Sequence, residues 1–268
     1  MRECSLSLLL TFLCGYPLFA QYPSSQNPVE TNNYSFSQFG HETWDFVRQP
    51  GRWNGSDWLK LSIVGAGTLL IMETADEPVR DAVLRDRRYF KSVPIEAGRM
   101  WGEVYSPVLF FGGFAIHSLL TDDIGTRKVA YEIGQASLYT GIITYLLKVG
   151  IGRARPYVNE GATSFHPFSS LFNTDTHAYP GGHNAVALVL STVLSRNARP
   201  LWLKALAYVP AALTFVSRIY QDQHWTSDDF AGAALGYLVA TWVVDIHERQ
   251  ESPVTVSGTN RISISIAF

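Results

Sequence analysis

The chain has 268 residues, 47% of them hydrophobic and 13% aromatic, with a formal net charge of −2 and two cysteines. That length suits one large or two small domains, and the apolar content is ample for a core. Near-zero charge without a long basic run excludes a nucleic-acid partner held by phosphate neutralisation, and leaves a small or membrane-borne substrate.

In chain order, Arg2, the apolar run at 6–13 and Leu18-Phe19-Ala20 before Gln21 predict a secretory signal over 1–20. Export would place the mature chain in the periplasm or on the outer side of the cytoplasmic membrane. Cys4 and Cys14 fall inside this signal, and residues 11–14 lack the small residues expected before a lipidated cysteine. The mature chain then has neither disulfide nor thiol chemistry. Residues 21–35 are rich in Ser, Asn, Pro and Gln and read as a flexible spacer.

From 36 to 250, apolar stretches recur at 59–72, 105–120, 136–147, 185–194, 201–216 and 230–244, separated by Pro, Gly and charge. Their Ala/Leu/Gly-rich composition, the lack of sustained alternation, and Asp76 as a cap ahead of Glu77-Pro78 predict an all-α helical bundle. Each stretch is shorter than the roughly 18–20 apolar residues that cross a bilayer. Glu132, Gln135 and Lys204 also lie within or beside the helical segments. Both features favour a soluble or peripheral bundle over a multi-pass one, with Trp44, Trp53, Trp58 and Trp101 as core residues or as contacts with a membrane surface. In the tail at 251–268, Ile262, Ile264, Ile266 and Phe268 alternate with small or polar residues after a turn-like stretch at 257–260, which predicts a short C-terminal β-hairpin.

Three segments carry chemistry. Lys148 and Arg155 are two helical turns apart, and Pro156 forces Arg155 out of regular helix, so two cations can converge on one anion. Pro180-Gly181-Gly182-His183 precedes an apolar helix, whose N-terminus offers free N–H groups and a positive dipole end to an anion. Arg218 adds a third cation, and His224 and Asp228 are four residues apart, the spacing at which a carboxylate can fix an imidazole tautomer and free its other nitrogen to attack. On the same helical spacing, Asp229 points away, toward solvent. Separately, these are a helix C-terminus, a turn and a surface ion pair; together they propose phosphoryl transfer with histidine as nucleophile. His166 and His177 lie in the long loop between the first two segments, near the pocket mouth.

These segments resemble the three motifs of the type 2 phosphatidic acid phosphatase and vanadium haloperoxidase superfamily: Lys-x6-Arg-Pro, Pro-Ser-Gly-His and Ser-Arg-x5-His-x3-Asp. The matching positions are Lys148, Arg155 and Pro156; Pro180, Gly182 and His183; and Ser217, Arg218, His224 and Asp228, within a region of resemblance at about 129–245. The resemblance implies a helical bundle with the anion site between helices. It also implies a phosphohistidine on His224, His183 as general acid, and Lys148, Arg155, Arg218 and the Gly181–Gly182 backbone as the phosphate site. It implies no metal or other cofactor, with vanadate as a phosphate mimic.

The activity implied is hydrolysis of a phosphate monoester, whether lipid phosphate, lipid pyrophosphate or small soluble ester. Some members instead hold vanadate in this pocket and oxidise halides. Gly181 stands where the family has serine, which raises a further alternative, a non-catalytic phosphate-binding module. The missing hydroxyl is expected to weaken catalysis without abolishing it, Asn184 offering a compensating amide, so Gly181→Ser is expected to raise turnover.

Overall fold

The computed structural model describes residues 32–168 and 172–251, so the expected signal at 1–20, most of the expected spacer and the expected C-terminal hairpin lie outside the described residues. Within them the fold is all-α. The helices are α1 (Phe36–Arg48), α2 (Gly55–Thr74), α3 (Asp76–Arg85), α4 (Val93–Trp101), α5 (Tyr105–Thr121), α6 (Ile124–Ile151), α7 (Gly182–Asn197), α8 (Leu201–Leu206), α9 (Val209–Tyr220) and α10 (Thr226–Glu251).

Local chemistry sets several of these boundaries. Ser35 caps α1, Asn54 and Asp57 form a capping box at α2, and the Asp123 carboxylate accepts the Gly125 N–H at the start of α6. The apolar stretch at 201–216 is divided, because Pro210 cannot continue a helix from α8 and instead sits in the first turn of α9. Asp76 does not cap α3 as expected. It is the first residue of that helix, and its side chain turns into the bundle, where it is 1% exposed.

The core lies between α6, α7 and α10, built from Val129, Ile133, Ala136, Val189, Leu190, Val193, Val239, Ala240 and Val243. The helices α7 and α10 touch almost backbone to backbone. A Cβ at Gly232 would meet the Gly181 carbonyl oxygen at 2.1 Å, and one at Gly236 the Ala185 oxygen at 2.1 Å. These two glycines, one turn apart, draw the first turn of α10 under the start of α7.

Polar and apolar side chains are distributed unusually. Glu132, Gln135, Lys128 and His247 are buried, with His247 between the carboxylates of Glu132 (3.1 Å) and Glu42 (3.3 Å). Large apolar residues instead cover the outside: Leu59, Ile63 and Leu70 of α2, Leu109, Leu119 and Leu120 of α5, and Ile142 and Leu146 of α6 are all exposed.

Candidate active site

The site begins where α6 ends. Gly152 takes a left-handed conformation (φ 64°), and a Cβ there would lie 1.9 Å from the His166 carbonyl oxygen, so only glycine fits. The chain then leaves the helix, and Arg155, just ahead of Pro156, is extended (φ −72°, ψ 153°). Its guanidinium donates to the Thr174 carbonyl (2.9 Å) and to the Gln223 side-chain oxygen (2.9 Å). Lys148, in the last turn of α6, donates to the carbonyl of His177 (2.5 Å).

The loop between α6 and α7 is pinned to the site by its backbone. The Ala178 N–H donates to the Arg153 carbonyl (3.0 Å), and the Arg155 N–H to the Asp175 carbonyl (2.8 Å). His166 is a loop residue paired with Glu160 at 2.6 Å. His177 is buried and presents its carbonyl to Lys148.

The start of α7 offers fewer backbone donors than its sequence promises. The Gly181 N–H donates to the Asp228 carbonyl at 2.8 Å, so it is spent on packing and does not face an anion. The N–H groups of Gly182, His183 and Asn184, in the first turn, are those that the helix itself leaves unpaired. A serine at 181, expected to raise turnover, would be crowded here. A Cβ at 181 would meet the Asp229 Oδ1 at 2.4 Å and the Asp228 carbonyl oxygen at 3.0 Å.

His224 precedes α10 and is 2% exposed. Its Nδ1 lies 2.8 Å from the Ala178 carbonyl oxygen. A carbonyl can only accept, so Nδ1 carries the hydrogen and Nε2 carries the lone pair. Nε2 is buried and has no hydrogen-bond partner. Burial holds the imidazole well below its usual range, and Arg155, Lys148, His183 and Arg218 all lie near enough to push it further down. The His183 ring stands 6.0 Å from that of His224, with its Nε2 3.5 Å from a Glu103 carboxylate oxygen. Burial first, then Arg218, bring His183 down to about 4, against the pull of Glu103.

Asp228 does not hold His224, contrary to the four-residue spacing. Its Oδ2 accepts the Trp225 N–H (2.9 Å), and its Oδ1 accepts from Arg153 (2.6 Å). The tautomer is set by a backbone carbonyl, and Asp228 acts one step back, shaping the turn that carries His224. Arg153 is completely buried and also donates to Asp76 (2.8 Å) and Ser227 (2.7 Å). Asp76 in turn accepts the Ser227 N–H at 2.9 Å. Neither Asp76 nor Arg153 is marked by a sequence motif. Arg153 is two residues before Arg155, but Asp76 is in another part of the chain and only the fold brings it in. Asp229, expected to face solvent, is 0% exposed.

Several buried polar groups here have no hydrogen-bond partner: His224 Nε2, Arg218 Nε, both amide atoms of Asn184, the Thr144 hydroxyl and both Asp229 carboxyl oxygens. Orphans of this kind are rare in folded interiors. With Lys148 and the open turn of α7, they are hydrogen-bonding groups that the protein itself leaves unused. Among the described residues no cluster of His, Cys, Asp or Glu is placed to hold a metal ion.

The bundle thus brings Lys148, Arg155, Arg218 and His183, at the start of α7, together around the buried His224 ring. Residues 132–252 match the model of the PAP2 superfamily. It is 36% identical over 94 residues to a lipid A 1-phosphatase of Porphyromonas gingivalis, covering 33% of this chain and 21% of that one. It is 28% identical over 127 residues to an undecaprenyl-diphosphatase of Sulfolobus acidocaldarius, covering 45% of this chain and 56% of the relative. Of these two relatives it therefore spans about a fifth and just over half. In fold it is similar to the crystal structure of Aquifex aeolicus LpxE, with a TM-score of 0.51 at 20% identity, covering 63% of this chain and 94% of that one.

Proposed function

We propose that the protein is an exported, membrane-associated phosphatase that removes phosphate from a lipid through a phosphohistidine on His224. The observation that carries this reading is the state of that ring: Nδ1 bonded to the Ala178 carbonyl, Nε2 bare, and cations on several sides. The relatives' names, lipid A 1-phosphatase and undecaprenyl-diphosphatase, favour a phosphate carried by a lipid.

In this mechanism the substrate phosphate is held by Lys148, Arg155, Arg218 and the first N–H groups of α7. The His224 Nε2 attacks phosphorus as the ester P–O bond breaks, and His183 gives its proton to the leaving oxygen. Water then attacks the P–N bond, passes a proton back to His183, and inorganic phosphate leaves. In the empty pocket burial and Arg218 hold His183 neutral. A bound phosphate dianion offsets that positive charge and lets His183 take up the proton it must donate.

The membrane part of the proposal rests on the apolar exterior. A helix that is apolar all round belongs in a core or in lipid. Helix α2 buries only Thr68 among its residues, so its leucines have lipid as their natural neighbour. By length and composition α10 can cross a bilayer, and the bent pairs α2–α3 and α4–α5 can each do so as one span. The export part rests on the signal at 1–20.

The test is hydrolysis of an aryl phosphate by the purified chain in chelator, with and without orthovanadate. Turnover that survives the chelator and is abolished by vanadate is the expected result. Binding of vanadate without any turnover would overturn the enzyme reading.

A further inference from the structure

Asp229 is used neither by the sequence motifs nor by the mechanism above, and its setting is chemically odd. It is a fully buried carboxyl in the first turn of α10, and neither oxygen has a hydrogen-bond partner. No arginine, lysine or histidine is paired with it, although Arg218 and Lys148 are close enough to act on its charge and the Asn184 amide lies beside it. The Asn184 amide interacts with it without good hydrogen-bond geometry, so this buried carboxyl is left poorly satisfied by the protein itself.

Its position supplies the reason. The Asp229 Oδ1 lies 2.4 Å from where a Cβ on Gly181 would be. The carboxyl therefore occupies the side-chain volume of position 181, the corner where the Pro-Ser-Gly-His pattern has a serine. A side chain at 181 would displace the Asp229 carboxyl from its present place. A carboxylate in the wall of an anion pocket would repel the guest. In the acid form the same atoms become a donor, as a serine hydroxyl is.

We propose that Asp229 is a phosphate-binding residue, its carboxyl lodged in the space left by Gly181 and donating from its acid form to the bound phosphate in place of the missing serine. Gly181 is then one half of an exchange, with Asp229 as the other half. This rests on the phosphate pocket proposed above, and its test reads binding so that it does not depend on catalysis.

Orthovanadate is titrated calorimetrically into the purified full chain and four variants, with aryl-phosphate turnover of the wild type measured in parallel. Asp229→Ala should weaken vanadate binding about 10- to 100-fold, the range for a hydrogen bond to a charged group. Asp229→Asn keeps a donor of the same shape and should stay within about 3-fold of wild type on the same scale. Gly181→Ser alone should bind poorly, because its side chain collides with Asp229. The Gly181→Ser, Asp229→Ala double variant should recover most of the affinity, since the severe contact with the Asp229 carboxyl is gone and the backbone contacts left at 3.0 Å need a shift of only a few tenths of an ångström. This reciprocal rescue is what a merely structural role would not produce. Wild-type affinity in Asp229→Ala would overturn the proposal, as would a folded double variant that binds no better than Asp229→Ala. If Asp229→Ala does not fold, Asp229→Asn and the double variant decide. Absence of wild-type turnover, with binding that still follows this pattern, would overturn the phosphatase reading and support Asp229 in the pocket.

Discussion

One buried guanidinium, that of Arg153, ties the active-site turn to the N-terminal half of the chain. It donates to Asp228, which shapes the turn carrying His224, and to Asp76, the first residue of α3. Removing one partner of a buried ion pair typically costs about 3–5 kcal/mol, since the remaining charge is left without compensation. Asp76→Ala is therefore expected to lower the temperature of half-inactivation by many degrees and to depress turnover at temperatures where the protein is still folded, with Asp76→Asn milder. Heat inactivation of the two variants beside the wild type checks this, and a wild-type profile for Asp76→Ala would show the network to be idle. At this scale the convergence of residues was readable where chemistry fixes spacing: Lys148, Arg155, His183 and Arg218 all lie near the His224 ring. It was misread where packing decides. A carboxylate four residues from a histidine can reach it on a helix, but His224 precedes α10 and is held by a loop carbonyl. Asp229 was placed in solvent because helical periodicity assumes one buried face, whereas the first turn of α10 is wedged under α7 and buried at both 228 and 229.

At the scale of helices, the long apolar ones announced themselves, and those missed have a common cause. Helices α1 and α4 are short and carry charge, and α1 is held by the Ser35 cap and by Thr43 bonding Tyr139 of α6 at 2.7 Å. The argument against lipid exposure rested partly on polar groups such as Glu132 and Gln135. Both face inward, into a buried polar cluster, while the leucines and isoleucines of α2, α5 and α6 face outward. Apolar stretches also understated the helices: the stretch at 230–244 is part of α10, which runs from Thr226 to Glu251. The bundle is accordingly expected to stay with the membrane fraction through high-salt and carbonate washes and to be released by detergent. Release by carbonate alone would return it to the peripheral class and leave its apolar exterior in need of a protein partner.

Considered whole, the molecule separates its two polar centres. Lys148 and Glu132 lie on α6 sixteen residues apart, about 24 Å along a helix at 1.5 Å per residue, so the Glu42–Glu132–His247 cluster is far from the residues around His224. The one joins Glu42 of α1 to α6 and α10, and the other gathers the ends of α6, α7, α9 and α10. Convergence of termini explains how a site from three distant segments can be legible in sequence: each motif marks a helix end, and helix ends are where backbone donors are free and side chains leave the core. The central claim is that His224 carries the phosphoryl group in turnover. The most direct measurement is to quench the reaction in alkali and locate the phosphoryl group by mass spectrometry, in the wild type, His183→Ala and His224→Ala. The account predicts an alkali-stable phosphoryl group on His224 in the first two, and no phosphoryl group and no turnover in His224→Ala, which still binds vanadate. Undiminished turnover in His224→Ala, or a phosphoryl group on a different residue, would contradict it.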